Sequence, residues 1–466
     1  MDPLLSFYGD DFTGSMALAE TLTVSGMPTI VLTDAKEANF IREHFPKARA
    51  IGIAGTSRSM RSDEMRSHLP PIFEKMKSYG TPIYIYKICS TFDSSKEIGN
   101  IGLAIEIAMK IFSPDFVPLI PAAPKFNRFT IFGNHYAAFT NGQIYRLDRH
   151  PSLRNHPVTP MHESDLRLCL SEQTTIKTGL INILDIRKGK KHILRQIDRL
   201  KELSASIIIF DCLSNRDMKI ICEVLWSLRR DKPLFIVGSQ ELGYGFGKIW
   251  ADLGITRMAL EQSRHRLSAK KPILVVSGTC SPNTERQIDY AVKMGFREIP
   301  LCPTSILDAS EREREMNRVV QEAITFLKRG VSVIIHSAKG MKDPRIEFMK
   351  RKIEEACIEY SEANELLGLG LGEITLEIIE KTKIRRIVIC GGDTAGMIQS
   401  RLGIKALQIA KPIGIAAPLC YVYSDSDVIN GLEIAFKGGQ AGDIDYFSRV
   451  LAAKTVDFGE ATIGSI

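Results

Sequence analysis

The sequence predicts an α/β protein of two domains, each with a mainly parallel sheet, and an interdomain cleft. A chain of 466 residues is too long for a single compact core. Short apolar runs alternate with amphipathic stretches in both halves, which is typical of parallel sheets covered by helices on both faces. A polar, basic segment at 259–271 interrupts this alternation and has the composition of a linker. We therefore predict domains at 1–260 and 270–466.

The strands of the first domain are predicted from short runs rich in Val, Ile, Phe and Tyr, which favour extended backbone. These runs cover 4–9, 29–32, 50–54, 82–87, 116–120, 206–211 and 233–238. Amphipathic stretches at 14–25 and 189–203 predict helices between them. Residues 121–160, rich in Asn, His, Pro and aromatic residues, break the rhythm, so we expect a hairpin excursion or a lid there.

The second half continues the alternation of strands and helices. Its apolar runs cover 273–278, 331–337, 385–392 and 413–419. We find no internal sequence repeat. The second domain is therefore predicted to have a parallel sheet of its own.

Composition is that of an ordinary globular protein, with 44% hydrophobic and 25% charged residues. No apolar run approaches the roughly 20 residues that a membrane-spanning helix needs, and the N-terminus lacks a signal-peptide pattern. We therefore expect a cytoplasmic protein without a membrane partner. The nine cysteines contain no CxxC pair, which favours reduced thiols. His150, His156 and His162 lie among prolines, which predicts a surface loop and no metal site.

The formal net charge of +7 is spread over short clusters such as 187–192. Nucleic-acid binding favours basic residues gathered on one face, so no nucleic-acid partner is expected. A mild positive charge also suits small anionic substrates, because it raises their local concentration.

Three loops in the second half have the composition of phosphate-binding loops. They are SGTCSPNT (277–284), GGDTAG (391–396) and KGGQAG (437–442), and each follows an apolar run. Each supplies small residues and backbone N–H groups at a predicted helix N-terminus, where orphan N–H donors and the helix dipole both favour an anion. A lone glycine turn often serves only to reverse the chain, but three such loops in one domain favour a nucleotide site.

Two common nucleotide motifs are absent. The nearest approach to a Walker A loop, at 243–248, has the wrong spacing and lacks a following Ser or Thr. No GxGxxG follows a predicted strand, so a Rossmann dinucleotide site has no support.

Two adjacent aspartates follow the first predicted strand, in YGDDFTGS at 8–15. Adjacent carboxylates at the tip of a strand repel each other and lose solvation if they are buried. A site that removes a proton from a hydroxyl needs such a carboxylate, and the second acid can orient the first or help to hold Mg²⁺. An N-cap with Thr13 and Ser15 as helpers explains one aspartate but not two. We therefore favour a catalytic role for Asp10 and Asp11.

Together, YGDDFTGS, VVSGTCSPNT, VICGGDTAG and FKGGQAG resemble the motifs of the four-carbon acid sugar kinase family. The resemblance runs along essentially the whole chain, in the family's order. It implies an N-terminal domain that binds an acid sugar and a C-terminal domain that binds ATP. The reaction it implies is phosphoryl transfer from ATP, with Mg²⁺, to a hydroxyl of a substrate such as threonate, erythronate or 3-oxo-tetronate.

The resemblance also assigns site residues. Asp10 and Asp11 match the family's acidic pair, and Thr56 and Arg58 resemble a T-x-R segment, in which a guanidinium is suited to clamp the substrate carboxylate. The expected sugar-binding residues are Thr13, Gly14, Thr56, Arg58, Lys87, Ser90, Thr91 and Asp93. The expected nucleotide-binding residues are Ser277, Gly278, Thr279, Gly391, Gly392, Asp393, Thr394, Lys437, Gly438 and Gly439.

One segment departs from the family pattern K-x-D-S-T-x-R-G-N-x-G. The lysine, the Ser-Thr pair and the Gly-Asn pair are kept, but Cys89 replaces the first Asp, and a longer loop with Asp93 and two serines replaces the Arg. An added carboxylate disfavours a second substrate anion, and the altered loop leaves room for an extra hydroxymethyl or hydrate oxygen. A branched 3-oxo acid sugar such as 3-oxo-isoapionate is therefore a further candidate substrate.

Two other function classes stay open at this point. A non-catalytic sensor of an acid sugar or a nucleotide would also have two α/β lobes, but it needs no second, nucleotide-shaped domain. An NAD(P)-dependent acid-sugar dehydrogenase would need the glycine fingerprint that this chain lacks. The expected partners are the acid sugar and ATP, and a homodimer is left open.

Overall fold

The structure is a computed structural model that describes residues 2–35, 38–139, 142–156, 158–229, 232–256 and 267–455. The described residues form two compact units, one before residue 257 and one after residue 266. The predicted linker at 259–271 lies largely outside the described residues. The prediction of two α/β domains is confirmed, and the cleft between them stays a prediction.

The described part of the first unit contains eleven strands, and seven of them coincide with the apolar runs of the sequence. The strands are β1 (Leu5–Gly9), β2 (Thr29–Leu32), β3 (Ala50–Ala54), β4 (Ile83–Lys87), β5 (Val117–Ile120), β6 (Arg128–Ile131), β7 (Asn134–Ala138), β8 (Ile144–Arg146), β9 (Thr178–Ile181), β10 (Ile207–Phe210) and β11 (Leu234–Gly238). Eight of them form the main sheet in the order β2-β3-β1-β4-β11-β5-β10-β9. Neighbouring strands of this sheet are parallel.

Helices connect these strands and bury both faces of the sheet. They are α1 (Phe12–Val24), α2 (Ala38–His44), α3 (Ser62–Ser78), α4 (Ile101–Phe112), α5 (Leu166–Ser171), α6 (Ile183–Arg187), α7 (Lys190–Glu202), α8 (Asn215–Leu228) and α9 (Glu241–Asp252). Every residue of β1, β4 and β11 is buried, as expected for central strands of a parallel sheet.

The segment at 121–160 forms the predicted hairpin excursion. Its strands β6, β7 and β8 make a separate antiparallel sheet. The Asp211 carboxylate, at the end of β10, accepts hydrogen bonds from the backbone N–H groups of Phe132 (2.5 Å) and Gly133 (2.9 Å) in its first turn. The excursion is therefore fixed to the carboxyl edge of the main sheet.

The second unit has seven strands among its described residues. They are β12 (Leu274–Ser277), β13 (Arg297–Pro300), β14 (Val333–His336), β15 (Arg386–Cys390), β16 (Ala406–Gly414), β17 (Ala417–Tyr423) and β18 (Glu433–Lys437). Its helices are α10 (Pro282–Lys293), α11 (Pro303–Leu307), α12 (Arg312–Lys328), α13 (Pro344–Ala356), α14 (Tyr360–Thr382), α15 (Gly392–Arg401) and α16 (Tyr446–Ala452). The strand order is β13-β14-β12-β15-β18-β17-β16, parallel through β18 and antiparallel beyond it.

The prediction of one parallel strand at 413–419 was wrong. The segment spans the end of β16, a turn and the start of β17, and Gly414 pairs with Ala417 across the turn. The turn residue Ala416 has a φ of +56°, a backbone conformation that ends the extended run. None of the helices in the described part of the chain is long and apolar enough to cross a membrane.

A buried ion pair sets the register of two strands in the second unit. Arg386 on β15 is fully buried and stands opposite Glu433 on β18, to which its Nε donates a hydrogen bond of 2.6 Å. Its other nitrogens donate to the backbone carbonyls of Ser268, Val450 and Leu451. Since each donor has a partner, the buried charge is compensated, and the carboxyl ends of β15 and β18 are held level.

We predict that Arg386→Met destabilises the protein by about 3 kcal/mol, the lower end of the range for breaking a buried ion pair, because Glu433 loses its buried partner and keeps only the bond from Lys270 at 2.6 Å. The free energy of unfolding in urea measures this loss. The matched control is Arg401→Met, since the Arg401 side chain is 48% exposed and lies 3.9 Å from Glu373; it should change stability by less than about 1 kcal/mol. Equal stability of the two variants would contradict the prediction.

Candidate functional site: two loop clusters at sheet switch points

The first cluster lies where the order of strands in the first unit reverses. After β1 the chain forms β2 and β3 on one side of β1. It then forms β4 on the other side of β1, and the next strand, β5, lies farther in that second direction. Loops therefore diverge between β1 and β4, which is where open α/β sheets bind ligands. Gly9 at the end of β1 pairs in register with Ala54 and Lys87 at the ends of β3 and β4. The register brings the predicted residues 10–14, 56–58 and 87 to one place.

Both aspartates of the acidic pair lie in this cluster, in different environments. Asp10 is 2% exposed, and the backbone N–H of Cys89 donates to its Oδ2 at 3.3 Å. Asp11 is the N-cap of α1: its Oδ1 accepts from the Gly14 N–H at 3.0 Å and its Oδ2 from the Thr13 hydroxyl at 2.8 Å. The Asp11 side chain remains 19% exposed. Asp11 is thus the accessible member of the pair.

Two cations compensate the two carboxylates. Arg58 donates through Nε and Nη2 to the two oxygens of Asp10, at 3.1 and 2.7 Å, and Nη2 also donates to Asp11 at 2.7 Å. The Nζ of Lys87 lies 3.5 Å from Asp11 Oδ1 and 3.9 Å from Asp10 Oδ1. Lys87 is 3% exposed, so the contact between the two cations and the two carboxylates (the ion cluster) is largely shielded from water.

The surroundings shift the pKa values of the two carboxylates in opposite directions. Burial raises the pKa of Asp10, because the opposing charges of Arg58 and Lys87 do not fully offset the cost of desolvation. Burial also acts against ionisation of Asp11. There the charges of Arg58 and Lys87 and the hydrogen bonds from Thr13 and Gly14 outweigh it, so the pKa of Asp11 falls well below its usual range. Asp11 is therefore ionised at neutral pH.

Gly14 is required by the ion cluster itself. A Cβ at this position would lie 1.8 Å from the Lys87 Nζ and 2.1 Å from Asp11 Oδ1. Any side chain would displace the lysine. The predicted sugar-binding residue Gly14 therefore acts in the structure by making room for Lys87.

The altered segment after β4 lies beside the aspartates. The Thr91 hydroxyl is 2.9 Å from Cys89 Sγ and donates to Asp93 Oδ1 at 2.9 Å. Ser94 is buried and accepts a hydrogen bond from Gln173, and Ser95 bonds to Ile98. The two serines are thus engaged in holding the loop, which argues against the expectation that they make room for extra substrate atoms.

Two predicted sugar-binding residues stand apart from the ion cluster. Thr56 is exposed and precedes the short 3-10 turn that carries Arg58, without capping it through its side chain. Ser90 is buried, and its carbonyl accepts from His135 Nε2 at 2.8 Å. Sequence reasoning missed His135 and the backbone N–H of Cys89. His135 contacts a residue 45 positions away, and the Cys89 N–H reaches Asp10 through the register of neighbouring strands, so neither contact leaves a local sequence pattern.

The second cluster joins the three glycine-rich loops of the second unit, again at a reversal of strand order, between β12 and β15. Ser277 pairs with Cys390, and Cys390 pairs with Lys437, so β12, β15 and β18 end side by side. The Lys437 Nζ donates to the Thr284 hydroxyl at 2.8 Å. The Ser281 hydroxyl, which caps α10, donates to the Gly439 carbonyl at 2.7 Å. Sequence reasoning left Ser281 and Thr284 out of the site list, although both lie in the 277–284 motif.

The glycines of this cluster divide into two groups. A Cβ at Gly278 would lie 2.1 Å from Thr394 Oγ1, one at Gly439 would lie 2.7 Å from Thr279 Oγ1, and Gly391 has a φ of +120°. These three are needed by the fold. A Cβ at Gly392 or Gly438 would meet no atom within 4 Å, so the chain itself does not require glycine there.

Other features of the cluster also fit a ligand with phosphates. α15 begins at Gly392 and α10 at Pro282, so their free N–H groups face the loops, as anion sites need. The KGGQAG loop differs from its prediction, since the next helix, α16, begins only at Tyr446. The Ser277 hydroxyl is buried without a hydrogen-bond partner among the described residues. The side chain of Asp393, a predicted nucleotide ligand, lies outside what the structure describes.

Comparison with known proteins matches each of the two units to a separate family model. The family model of a sugar-binding N-terminal domain matches residues 5–246, and that of a nucleotide-binding C-terminal domain matches residues 274–447. A 3-oxo-isoapionate kinase of Paraburkholderia graminis is 36% identical over 96% of this chain and 94% of its own length. The chain belongs to the four-carbon acid sugar kinase family. The predicted enzyme class, a phosphotransferase acting on a hydroxyl of a small acid sugar, is confirmed.

More distant relatives cover the chain equally well. A 3-oxo-tetronate kinase of Pseudomonas savastanoi pv. phaseolicola is 28% identical over 96% of this chain and 97% of its own length. Among solved structures, a protein of Salmonella typhimurium described as a putative tRNA synthase aligns with a TM-score of 0.78 at 24% identity, over 96% of this chain and 98% of that one. That likeness concerns the fold. Within the acid sugar kinase family, a nucleotide is the second substrate.

We predict that Gly438→Val weakens nucleotide binding about tenfold or more, since a side chain there enters space that the fold leaves open to a ligand. Calorimetric titration with MgATP measures the affinity, and thermal unfolding should be unchanged. Gly396→Ala is the control: it also adds a Cβ in open space, but one turn inside α15, and it should keep wild-type affinity. Wild-type affinity in Gly438→Val would contradict the assignment of this loop.

Proposed function

We propose that the protein transfers a phosphoryl group from ATP, with Mg²⁺, to a primary hydroxyl of a branched 3-oxo acid sugar of the 3-oxo-isoapionate type. The observation that carries the proposal is the ion cluster at the first switch point. It presents one ionised, partly exposed carboxylate, Asp11, beside a buried carboxylate and two cations. Such an arrangement suits proton removal from a hydroxyl.

In this proposal Asp11 is the general base. It is the more exposed of the two aspartates, and its lowered pKa keeps it ionised at neutral pH. Asp10 is the positioning carboxylate, because its two oxygens bind Arg58 and the Cys89 N–H. Arg58 carries two charge-assisted bonds to Asp10 and one to Asp11, which fixes the orientation of the base.

The nucleotide occupies the second cluster in this proposal. Ser277, Gly278, Thr279, Gly391, Gly392, Thr394, Lys437, Gly438 and Gly439 are its candidate residues. The orphaned Ser277 hydroxyl and the open space at Gly392 and Gly438 support phosphate groups there. Asp393 keeps its predicted role as a proposal.

Mg²⁺ fits the site as an ion carried by the nucleotide. Among the described residues, no group of three or more His, Cys, Asp or Glu could hold a metal ion. Mg²⁺ commonly keeps several waters and binds through substrate phosphates with only one or two carboxylates. When bound, it neutralises charge on the phosphate oxygens. A homodimer and a cytoplasmic location stay predictions.

The choice of substrate rests on the relatives and on the altered loop. The 3-oxo-isoapionate kinase shares 36% of residues with this chain, compared with 28% for 3-oxo-tetronate kinases. Cys89 and Asp93 change the charge beside the aspartates relative to the family pattern. Both observations support a substrate with one carboxylate and a branched or keto carbon chain.

We predict that Asp11→Asn lowers kcat about 10²–10⁴-fold, as expected for loss of a general base. Asparagine caps a helix as well as aspartate does, so α1 should be preserved. Because the variant also removes one of the two carboxylates that face Arg58 and Lys87, thermal unfolding is measured beside kcat to show that the variant is folded. Steady-state release of ADP with saturating acid sugar measures kcat. Asp165→Asn is the matched control, because Asp165 is the N-cap of α5 and its carboxylate has no role in the proposed chemistry. A wild-type kcat in Asp11→Asn would restrict Asp11 to capping.

We also predict a ranking of substrates. 3-Oxo-isoapionate should exceed 3-oxo-tetronate, D-threonate and D-erythronate in kcat/KM by about 10–200-fold, the range that steric complementarity of one or two groups commonly provides. Coupled detection of ADP over this panel measures the order. If threonate or erythronate leads by a similar factor, the altered loop does not set specificity.

A further inference from the structure

Arg128 is a partly buried cation that the proposed reaction has not yet used. It begins β6 in the hairpin excursion, and its Nη1 donates to the Phe126 carbonyl at 2.6 Å. Its Nε is buried and has no hydrogen-bond partner among the described residues, and its guanidinium forms no ion pair with them. A buried donor without an acceptor is unfavourable, and an anion brought by the substrate would supply the acceptor.

The fold directs this face of the excursion toward the sugar site. Side chains two apart on a strand share a face, so Arg128 and Thr130 are on the same side of β6. The Thr130 hydroxyl lies 2.9 Å from His135 Nδ1, and His135 Nε2 lies 2.8 Å from the Ser90 carbonyl. His135 is fully buried. This chain of contacts holds the Arg128 face of β6 against the segment that follows β4.

Electrostatics place Arg128 near the same segment. Burial lowers the pKa of Arg128, and the charges of Cys89 and Asp93 act against that shift. Cys89 in turn interacts with the charges of Arg58 and Lys87. Cys89 is therefore close enough to interact with Arg128 and with the ion cluster.

Arg58, the arginine that the sequence suggested as the carboxylate clamp, is committed elsewhere. Its Nε and Nη2 bind Asp10 and Asp11. An acid sugar brings one carboxylate that must be neutralised while its hydroxyl is near Asp11. A second arginine with an uncommitted donor would supply a partner for that carboxylate.

We propose that Arg128, supplied by the hairpin excursion, binds the substrate carboxylate and thereby selects acid sugars over neutral sugars. The inference rests on the proposed function and adds a residue to it. The planar fork of a guanidinium matches a carboxylate with two parallel hydrogen bonds. The excursion thus takes over the cationic role of the arginine that the 87–102 segment lacks.

The test compares an acid substrate with its neutral counterpart. The probes are the acid sugar that the wild type turns over fastest and the primary amide of that same acid. For Arg128→Gln, KM for the acid should rise about 30-fold or more, since a buried charge pair loses one partner. KM for ATP should stay within twofold, and kcat/KM for the amide should change less than about threefold. Arg128→Lys, which keeps the charge but not the fork, should lie between wild type and Arg128→Gln.

The controls separate this role from a structural one. Arg149→Gln removes the same charge from the same excursion, at a side chain 65% exposed, and should leave both substrates unaffected. An equal loss of kcat/KM for the acid and the amide in Arg128→Gln, or no loss, would overturn the inference. If Arg128→Gln does not fold, Arg128→Lys decides: unchanged preference for the acid over the amide overturns the inference.

Failure of the proposed kinase function would give results different from failure of the proposed role of Arg128. A wild type that phosphorylates no acid sugar contradicts the kinase reaction proposed here and leaves carboxylate binding to be measured directly. Thermal stabilisation by the acid sugar that is present in wild type and in Arg149→Gln, and absent in Arg128→Gln, would still support the role of Arg128. Equal stabilisation in all three proteins would overturn it.

Discussion

The ion cluster of Asp10, Asp11, Arg58 and Lys87 is the interaction on which the rest of the sugar site depends. A carboxylate buried alone costs several kcal/mol, and two adjacent ones also repel each other. The register of β1, the strand that precedes the aspartates, is fixed because every residue of β1 is buried. Compensation therefore has to come from neighbouring strands: Lys87 from the end of β4 and Arg58 from the turn after β3. The position of Lys87 in turn requires glycine at residue 14 of α1, because any side chain there would occupy the position of the lysine.

The two loop clusters lie at equivalent places in sheets of the same strand order. The first four strands of each unit are ordered second, third, first, fourth: β2-β3-β1-β4 in one and β13-β14-β12-β15 in the other. The reversal therefore falls between the first and fourth strands in both. The loops there differ in chemistry. One carries charged side chains that suit a hydroxyl substrate, and the other carries glycines and hydroxyls that leave backbone N–H groups open to phosphates.

The sequence predicted most strands because buried parallel strands are continuous β-branched runs. β2 and β3 have the predicted bounds, and six others differ by one or two residues. It missed β9 and β13, which lie at sheet edges and have a glycine or charged residues in place of an apolar run. It mistook the turn at Ile415–Ala416 for the middle of a strand, because apolar residues continue through it. The acidic pair and the glycine loops were visible as local motifs. The commitment of Arg58 to the aspartates and the position of Arg128 were not, since both depend on which loops the sheet brings together.

The most direct test of the central claim is the identity of the phosphorylated product. The protein is incubated with ATP, MgCl₂ and 3-oxo-isoapionate, and proton-coupled ³¹P NMR follows the reaction. The account predicts that ADP forms together with a new phosphomonoester signal split into a triplet by the two protons of a CH₂–O group, and that neither forms when the acid sugar is omitted. ADP accompanied only by inorganic phosphate, with or without the sugar, would contradict it.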